Sequence, residues 1–149
     1  DIYKNLKLRK YLKPEALWEI ERGLSLSGQA IYNSALKKSK WHNAASELFE
    51  NFDLLVLPST QVWPFDLSEI YPKSINSKKM DTYHRWMQVT IPAGLLGLPV
   101  VNIPIGFGKN GLPVGLQLIG STGSDGQILS IAQAWHEHTR WPDVNIPKF

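Results

Sequence analysis

No cysteine occurs among the 149 residues, which removes thiol nucleophiles, disulfides and thiolate-held metals in one step. That composition is compatible with a reducing cytoplasm, the expected location. Charge is sparse as well: charged residues are 19% of the chain and the formal net charge is +3. Basic residues gather at Lys4, Lys7, Arg9, Lys10 and Lys13, and again at Lys37, Lys38 and Lys40. No aromatic alternation accompanies them to stack on bases, so they read as a solvated face rather than a nucleic-acid site. A charged segment followed by an apolar one does not open the chain. Asp1 begins mid-pattern, so no secretory leader is expected and the chain reads as a fragment or processed product. The charge-free run from Trp86 to Gly108 is long enough for a bilayer, but Pro92, Pro99, Pro104, Gly94, Gly97, Gly106 and Gly108 interrupt it. Several short buried elements are expected there instead of a membrane helix. Internal repeats and low-complexity tracts are also missing.

What is present describes one folded domain. Hydrophobic residues are 43% of the chain, and a chain of this length buries roughly 68–70% of its unfolded surface. Six tryptophans are many, and such rings belong in cores, pockets or interfaces. Pro14 suits the first turn of a helix carrying Leu17, Ile20 and Leu24, with Gly23 placed to stop it. A longer helix is expected from Ser27 to near Asn51, with Ile31, Ala35, His42, Ala45, Phe49 and Phe52 near one face. Asp53–Pro58 is a short apolar run, as in a strand covered on both faces. A long loop with Pro64 and Pro72 follows. Asp81 is placed to cap a helix through Tyr83, Trp86, Met87 and Thr90, which Pro92 should kink or restart.

Val100–Ile105 reads as a buried strand, and Val114, Leu116 and Leu118 alternate in another. Asn110 and Gly111 between them both tolerate positive φ, so the two strands should be antiparallel neighbours joined by a hairpin. Ser124-Asp-Gly-Gln127 matches a capping box, opening a helix that turns Ile128, Ile131, Ala132 and Trp135 inward. His136, His138 and Arg140 sit where cations suit its C-terminus.

The search for chemistry returns little. Gly106-Phe-Gly108-Lys-Asn-Gly111 matches G-x-G-x-x-G formally, but an alternating strand follows where a nucleotide site needs a helix. His136 and His138 are two apart on a helix and face different directions, and no H-E-x-x-H joins them to His42 or His84. No G-x-S-x-G elbow occurs. The Gly/Ser-rich segment Gly120–Gly126 has the backbone of an anion site, although a helix cap accounts for it more simply. Asp53 opens a buried strand and reads as a hydrogen-bond acceptor rather than a base. From the residues alone the chain is an α/β unit with no catalytic constellation, no metal site and no cofactor site.

Three stretches add a resemblance. Phe52-Asp-Leu-Leu-Val-Leu-Pro-Ser-Thr60, Thr90-Ile-Pro-Ala-Gly-Leu-Leu-Gly-Leu-Pro-Val-Val-Asn-Ile-Pro-Ile-Gly-Phe107 and Gly111-Leu-Pro-Val-Gly-Leu-Gln-Leu-Ile-Gly120 resemble, in order and spacing, the C-terminal part of amidase-signature enzymes. Leu12-Lys-Pro-Glu-Ala16 and Tyr83-His-Arg-Trp-Met87 add weaker similarity to a bacterial amidase branch. The resemblance runs from about Leu12 to Trp135.

It implies an α/β fold in which this chain is the C-terminal portion of an α/β/α amidase domain, a partial mixed β-sheet with flanking helices. Residues 1–26 would lead as a helical segment and residues 27–149 would form the α/β core. It also implies amide C–N hydrolysis by a serine whose base is a lysine acting through a second serine on a cis peptide. The Gly/Ser-rich segment and upstream lysine that carry those groups lie N-terminal to the part represented here, so no catalytic residue is assigned and the chain alone should be inactive. Trp63, Phe65, Tyr83, Trp86 and Met87 are the candidates for substrate binding, either as an apolar pocket wall or as plain core packing. Glutamine-using relatives carry an acidic residue near the place of Met87, where it receives the substrate's amino group. Met87 cannot pair with an ammonium, which implies an apolar or aryl amide. The implied partners are a small-molecule amide and the N-terminal portion of the same amidase, without nucleic acid, membrane or cofactor. Open strand edges leave homo-oligomerisation as a further expectation. Two other readings stand beside this one: a non-catalytic α/β interaction or scaffold module, and a nucleotide-binding half-domain.

Overall fold

A computed structural model describes residues 2–144 and Ile146. The chain divides into two compact units, one up to Lys40 and one from Trp41 onward.

The first unit is helical. Asn5 caps the short α1 (Leu6–Arg9) by accepting a hydrogen bond from the Lys7 N–H at 3.0 Å. Helix α2 (Pro14–Leu24) starts on its proline as expected and carries Gly23 inside its last turn, ending one residue later. An exposed Arg9–Glu21 ion pair of 2.7 Å links the two helices, a contact of about 0–1 kcal/mol in such a setting. Arg9 also lies over the Tyr3 ring, 4.3 Å from its centroid. Helix α3 (Gly28–Phe49) begins where the Ser27 hydroxyl accepts the Ala30 N–H at 3.2 Å.

The second unit is built on a three-stranded sheet in the order β1 (Leu55–Pro58), β5 (Pro113–Ile119), β4 (Val100–Phe107). The hairpin between β4 and β5 forms as expected, in the register Val101↔Leu118 and Asn102↔Gln117. Its loop is longer than a tight Asn-Gly turn. Gly111 alone takes positive φ, at 75°, while the Asn110 side chain accepts the Leu112 N–H at 3.2 Å. β1 pairs with the other edge of β5, Leu57 opposite Gln117. The α/β class and flanking helices stand, but every strand pair described is antiparallel. A short hairpin loop forces that arrangement on β4 and β5. A register shift near Pro104 and Gly106 bends β4, and Gly106 takes φ 136° beneath the ring of Trp141.

The charge-free run resolves into short elements: α4 (Tyr83–Trp86), a 3₁₀ turn (Gln88–Thr90), α5 (Ile91–Leu96) and β4. Pro92 restarts the helix at its first turn. Asp81 does not cap α4. Its carboxylate pairs with Arg85 at 2.5 Å, one helical turn ahead. Among the described residues no helix is long and apolar enough to cross a membrane. Helix α6 (Asp125–Thr139) packs on β4 and β5, burying Ile128 and donating the Trp135 indole N–H to the Pro104 carbonyl at 2.8 Å. The expected capping box does not form: the Ser124 backbone, at φ −87° and ψ 22°, is not the extended one usual for a cap, and its hydroxyl donates to the Ser121 carbonyl. A short α7 (Trp141–Val144) follows and packs on β4. Ala93, Ile103, Leu118, Ile119 and Ile128 are among the buried core residues. β1 is not covered on both faces: Leu55 and Leu57 are half-buried, whereas Val56 is 46% exposed.

Candidate functional site

Past the end of β1 the Ser59 N–H still donates to the Gly115 carbonyl at 3.0 Å, and residues 59–65 then run beside the start of β5. Between them opens a cavity of about 340 Å³, lined by Pro58–Phe65, Trp86 and Pro113–Gly115. Three of the five expected residues, Trp63, Phe65 and Trp86, line it. Phe65 meets Trp86 edge to face with centroids 5.6 Å apart, a geometry the ring quadrupoles favour. Tyr83 stands three residues before Trp86 on the same helical turn and packs edge-on behind it at 6.0 Å, outside the lining. Met87 is half-buried and also outside the lining.

Glycines shape the cavity. The Trp63 ring lies so close to Gly108 that a Cβ there would come within 2.8 Å of it. A Cβ on Gly115 would come within 2.7 Å of the Ser59 hydroxyl. Beneath, Gln117 is 3% exposed. Its side-chain amide donates to the carbonyls of Pro58 at 2.8 Å and Val89 at 3.2 Å. Gln61 accepts the Val89 N–H at 2.8 Å. Reading strand alternation only through Val114, Leu116 and Leu118 misses Gln117. A polar residue set between leucines in an otherwise apolar strand, Leu116-Gln-Leu118, is the signal that would have found it.

The polar groups here are not arranged for nucleophilic attack. The Ser59 hydroxyl donates to the Asn102 side-chain oxygen at 2.8 Å, and Thr60 donates to the Val62 carbonyl at 2.5 Å. Both acceptors are neutral amides, which cannot take a proton from a serine. No ionisable side chain lines the cavity. Outside the lining, one residue after Phe65, Asp66 accepts hydrogen bonds from the Ser68 hydroxyl at 2.6 Å and backbone N–H at 2.8 Å. These bonds hold its carboxyl below the ordinary aspartate value, the hydroxyl contributing most. The Trp86 indole nitrogen is buried without a hydrogen-bond partner among the described residues. No group of three or more metal-ligating side chains occurs among the described residues.

The Amidase family model matches residues 3–129. A glutamyl-tRNA(Gln) amidotransferase component of Thermotoga maritima is 36% identical over 107 residues, 71% of this chain and 21% of that protein. Fatty acid amide hydrolase of Medicago truncatula is 38% identical over 90 residues, 59% of this chain and 14% of that protein. The chain therefore spans about a fifth or less of these relatives' length. The structure of a bacterial aryl acylamidase of the amidase signature family superposes with a TM-score of 0.80 at 24% identity, over 96% of this chain and 29% of that one.

Proposed function

This chain belongs to the amidase family, and from that premise we propose that it works as the C-terminal portion of an amidase hydrolysing carboxamide C–N bonds. The reacting serine, the second serine and the lysine lie outside these 149 residues. The chain contributes sheet, helices and one apolar wall of the substrate pocket, and the N-terminal portion of the same protein is its partner. The cytoplasm is the proposed location.

The observation that carries the reading is the cavity at Trp63, Phe65 and Trp86, aromatic on its sides and free of ionisable lining. A charged amino group would find no counter-ion there, whereas a flat apolar group would lose its water against three rings. Full burial of such a group is worth about 1.5–3 kcal/mol, enough to select aryl or aliphatic amides by roughly tenfold or more. The test is a panel of amides offered to the complete enzyme, with the isolated chain assayed alongside. Preference for aryl or aliphatic amides, and no turnover by the chain alone, are expected. Preference for glutamine would overturn the substrate class. Turnover by the chain that vanishes on replacing one of its own serines would overturn the division of labour.

A further inference from the structure

We propose that Gln117, with Gln61, is the positioning residue of the aromatic pocket. This rests on the reading of that cavity as a substrate wall. The pocket's rings come from two segments that share no strand or helix: Phe65 from the loop after β1, and Trp86 from α4. Something must fix their separation, because edge-to-face pairs form over centroid distances of about 4.5–7 Å and the contact at 5.6 Å does not by itself select one.

Gln117 is placed to do this. It is the buried polar side chain among the described residues, in the central strand, at 3% exposure. Both N–H groups of its amide are used. One donates to the carbonyl of Pro58, from which the loop bearing Phe65 departs. The other donates to the carbonyl of Val89, three residues after Trp86. The N–H of Val89 is in turn held by Gln61, which belongs to the same loop as Phe65. The Val89 residue is thus gripped at its N–H by the loop and at its carbonyl by the sheet. A hydrocarbon of equal size would fill the space but leave the Pro58 and Val89 carbonyls without the Gln117 donor, so the amide is needed for its geometry and not for its volume.

The test is Gln117→Glu in the complete enzyme, read at pH 8 and pH 5. The carboxylate has no donor and faces two carbonyl oxygens, so burial and repulsion raise its pKa. At pH 5 the protonated acid regains one donor. Pro58 and Val89 are its bonded partners, with Leu57 and Asn102 beside it in register, and none is ionisable. Any pH dependence gained is therefore the carboxyl's own. The first readout is the ring-current shift of the Phe65–Trp86 pair by NMR. It should be lost at pH 8 and partly restored at pH 5, each read against the unmodified protein at the same pH, because His84 lies beside Tyr83, which packs on Trp86. The second is acetanilide binding, which should weaken about tenfold at pH 8 and recover at pH 5. Should Q117E fail to fold at pH 8, Gln61→Ala decides, since it removes an exposed acceptor and should loosen the same ring pair. Retention of the ring contact in Q117E at pH 8, or in Q61A where Q117E does not fold, overturns the positioning role. No acetanilide binding by the complete unmodified enzyme overturns the pocket reading, and the ring contact still tests the positioning role.

Discussion

Gly115→Ala in β5 should destabilise the second unit through one neighbour, and a second substitution should undo most of the damage. The new methyl would lie 2.7 Å from the Ser59 hydroxyl and 3.2 Å from the Ile103 carbonyl. The carbonyl is held in the β4–β5 ladder and cannot retreat. Ser59 can, but only by giving up its 2.8 Å bond to Asn102. Overpacking of this kind costs about 1–3 kcal/mol and the lost hydrogen bond about 1 kcal/mol. A total of roughly 2–4 kcal/mol lowers a urea midpoint by about 1–2 M at the slopes usual for small domains. Ser59→Ala alone should cost about 1 kcal/mol. With Ser59 already alanine, the methyl meets the residue 59 Cβ at 3.4 Å, an ordinary contact. Gly115→Ala should then add only about 1 kcal/mol, giving a coupling of about 1–3 kcal/mol in a double-mutant cycle. Urea unfolding of the four proteins measures it. Additive effects, or a Gly115→Ala protein as stable as its parent, would refute the argument that Ser59 and Gly115 are fitted to each other.

Three further outcomes are expected. Trp86→Ala removes the ring against which Phe65 and Tyr83 pack and should cost about 3 kcal/mol. Trp86→Phe keeps a ring and removes the unpartnered indole donor, so thermal unfolding should show a loss below about 1 kcal/mol; equal losses would refute this. Asp66 is depressed in the folded chain, so its contribution is present above the unfolded aspartate value and is lost as pH falls through the folded one. The Ser68 amide resonance should therefore move only at acid pH, below the ordinary aspartate range, and Ser68→Ala should bring that midpoint up. Finally, Leu6, Tyr11, Leu24 and Val56 are exposed at 80, 75, 71 and 46%, and size-exclusion chromatography should show the isolated chain self-associating as its concentration rises. A monomer throughout would count against it.

The parts of this fold that are legible in the sequence are those whose cause is local. Apolar spacing locates α2, α3 and α6, and Asn110-Gly111 between two apolar runs joins β4 to β5. Local signals also mislead where a second partner is nearer. Ser124 has the right type and spacing for a cap, yet its hydroxyl finds the Ser121 carbonyl. The small hairpin of β2 (Ser74–Ile75) and β3 (Lys78–Lys79) lies inside the stretch that reads as one long loop. Its turn residues Asn76 and Ser77 take φ 47° and 63° without a glycine to announce them. The place of β1 beside β5 follows from neither strand alone, because its partners lie some sixty residues away.

The site divides along the same line. Trp63, Phe65 and Trp86 stand out as large rings in segments leaving strands or helices, and they do share a cavity. Met87 follows Trp86 directly but lies beyond the end of α4, where the backbone leaves the helix at φ −104° and ψ 20°, and it is absent from the lining. What the composition of the segments could not convey is the agent that assembles them. Gln117 lies in a strand whose two faces both meet covering elements, so its neighbours on either side are apolar and its own polarity looks like an exception. The exception has a use. Pro58, Val89 and Gln117 are distant in sequence and joined by one buried amide. A side chain that satisfies two backbone carbonyls from different segments fixes their spacing more tightly than apolar contact does, since hydrogen bonds are directional and apolar contacts are not. In this chain, then, the groups that would touch a substrate are legible as residue types, whereas the group that holds them apart at the right distance becomes legible only once the strand order is known.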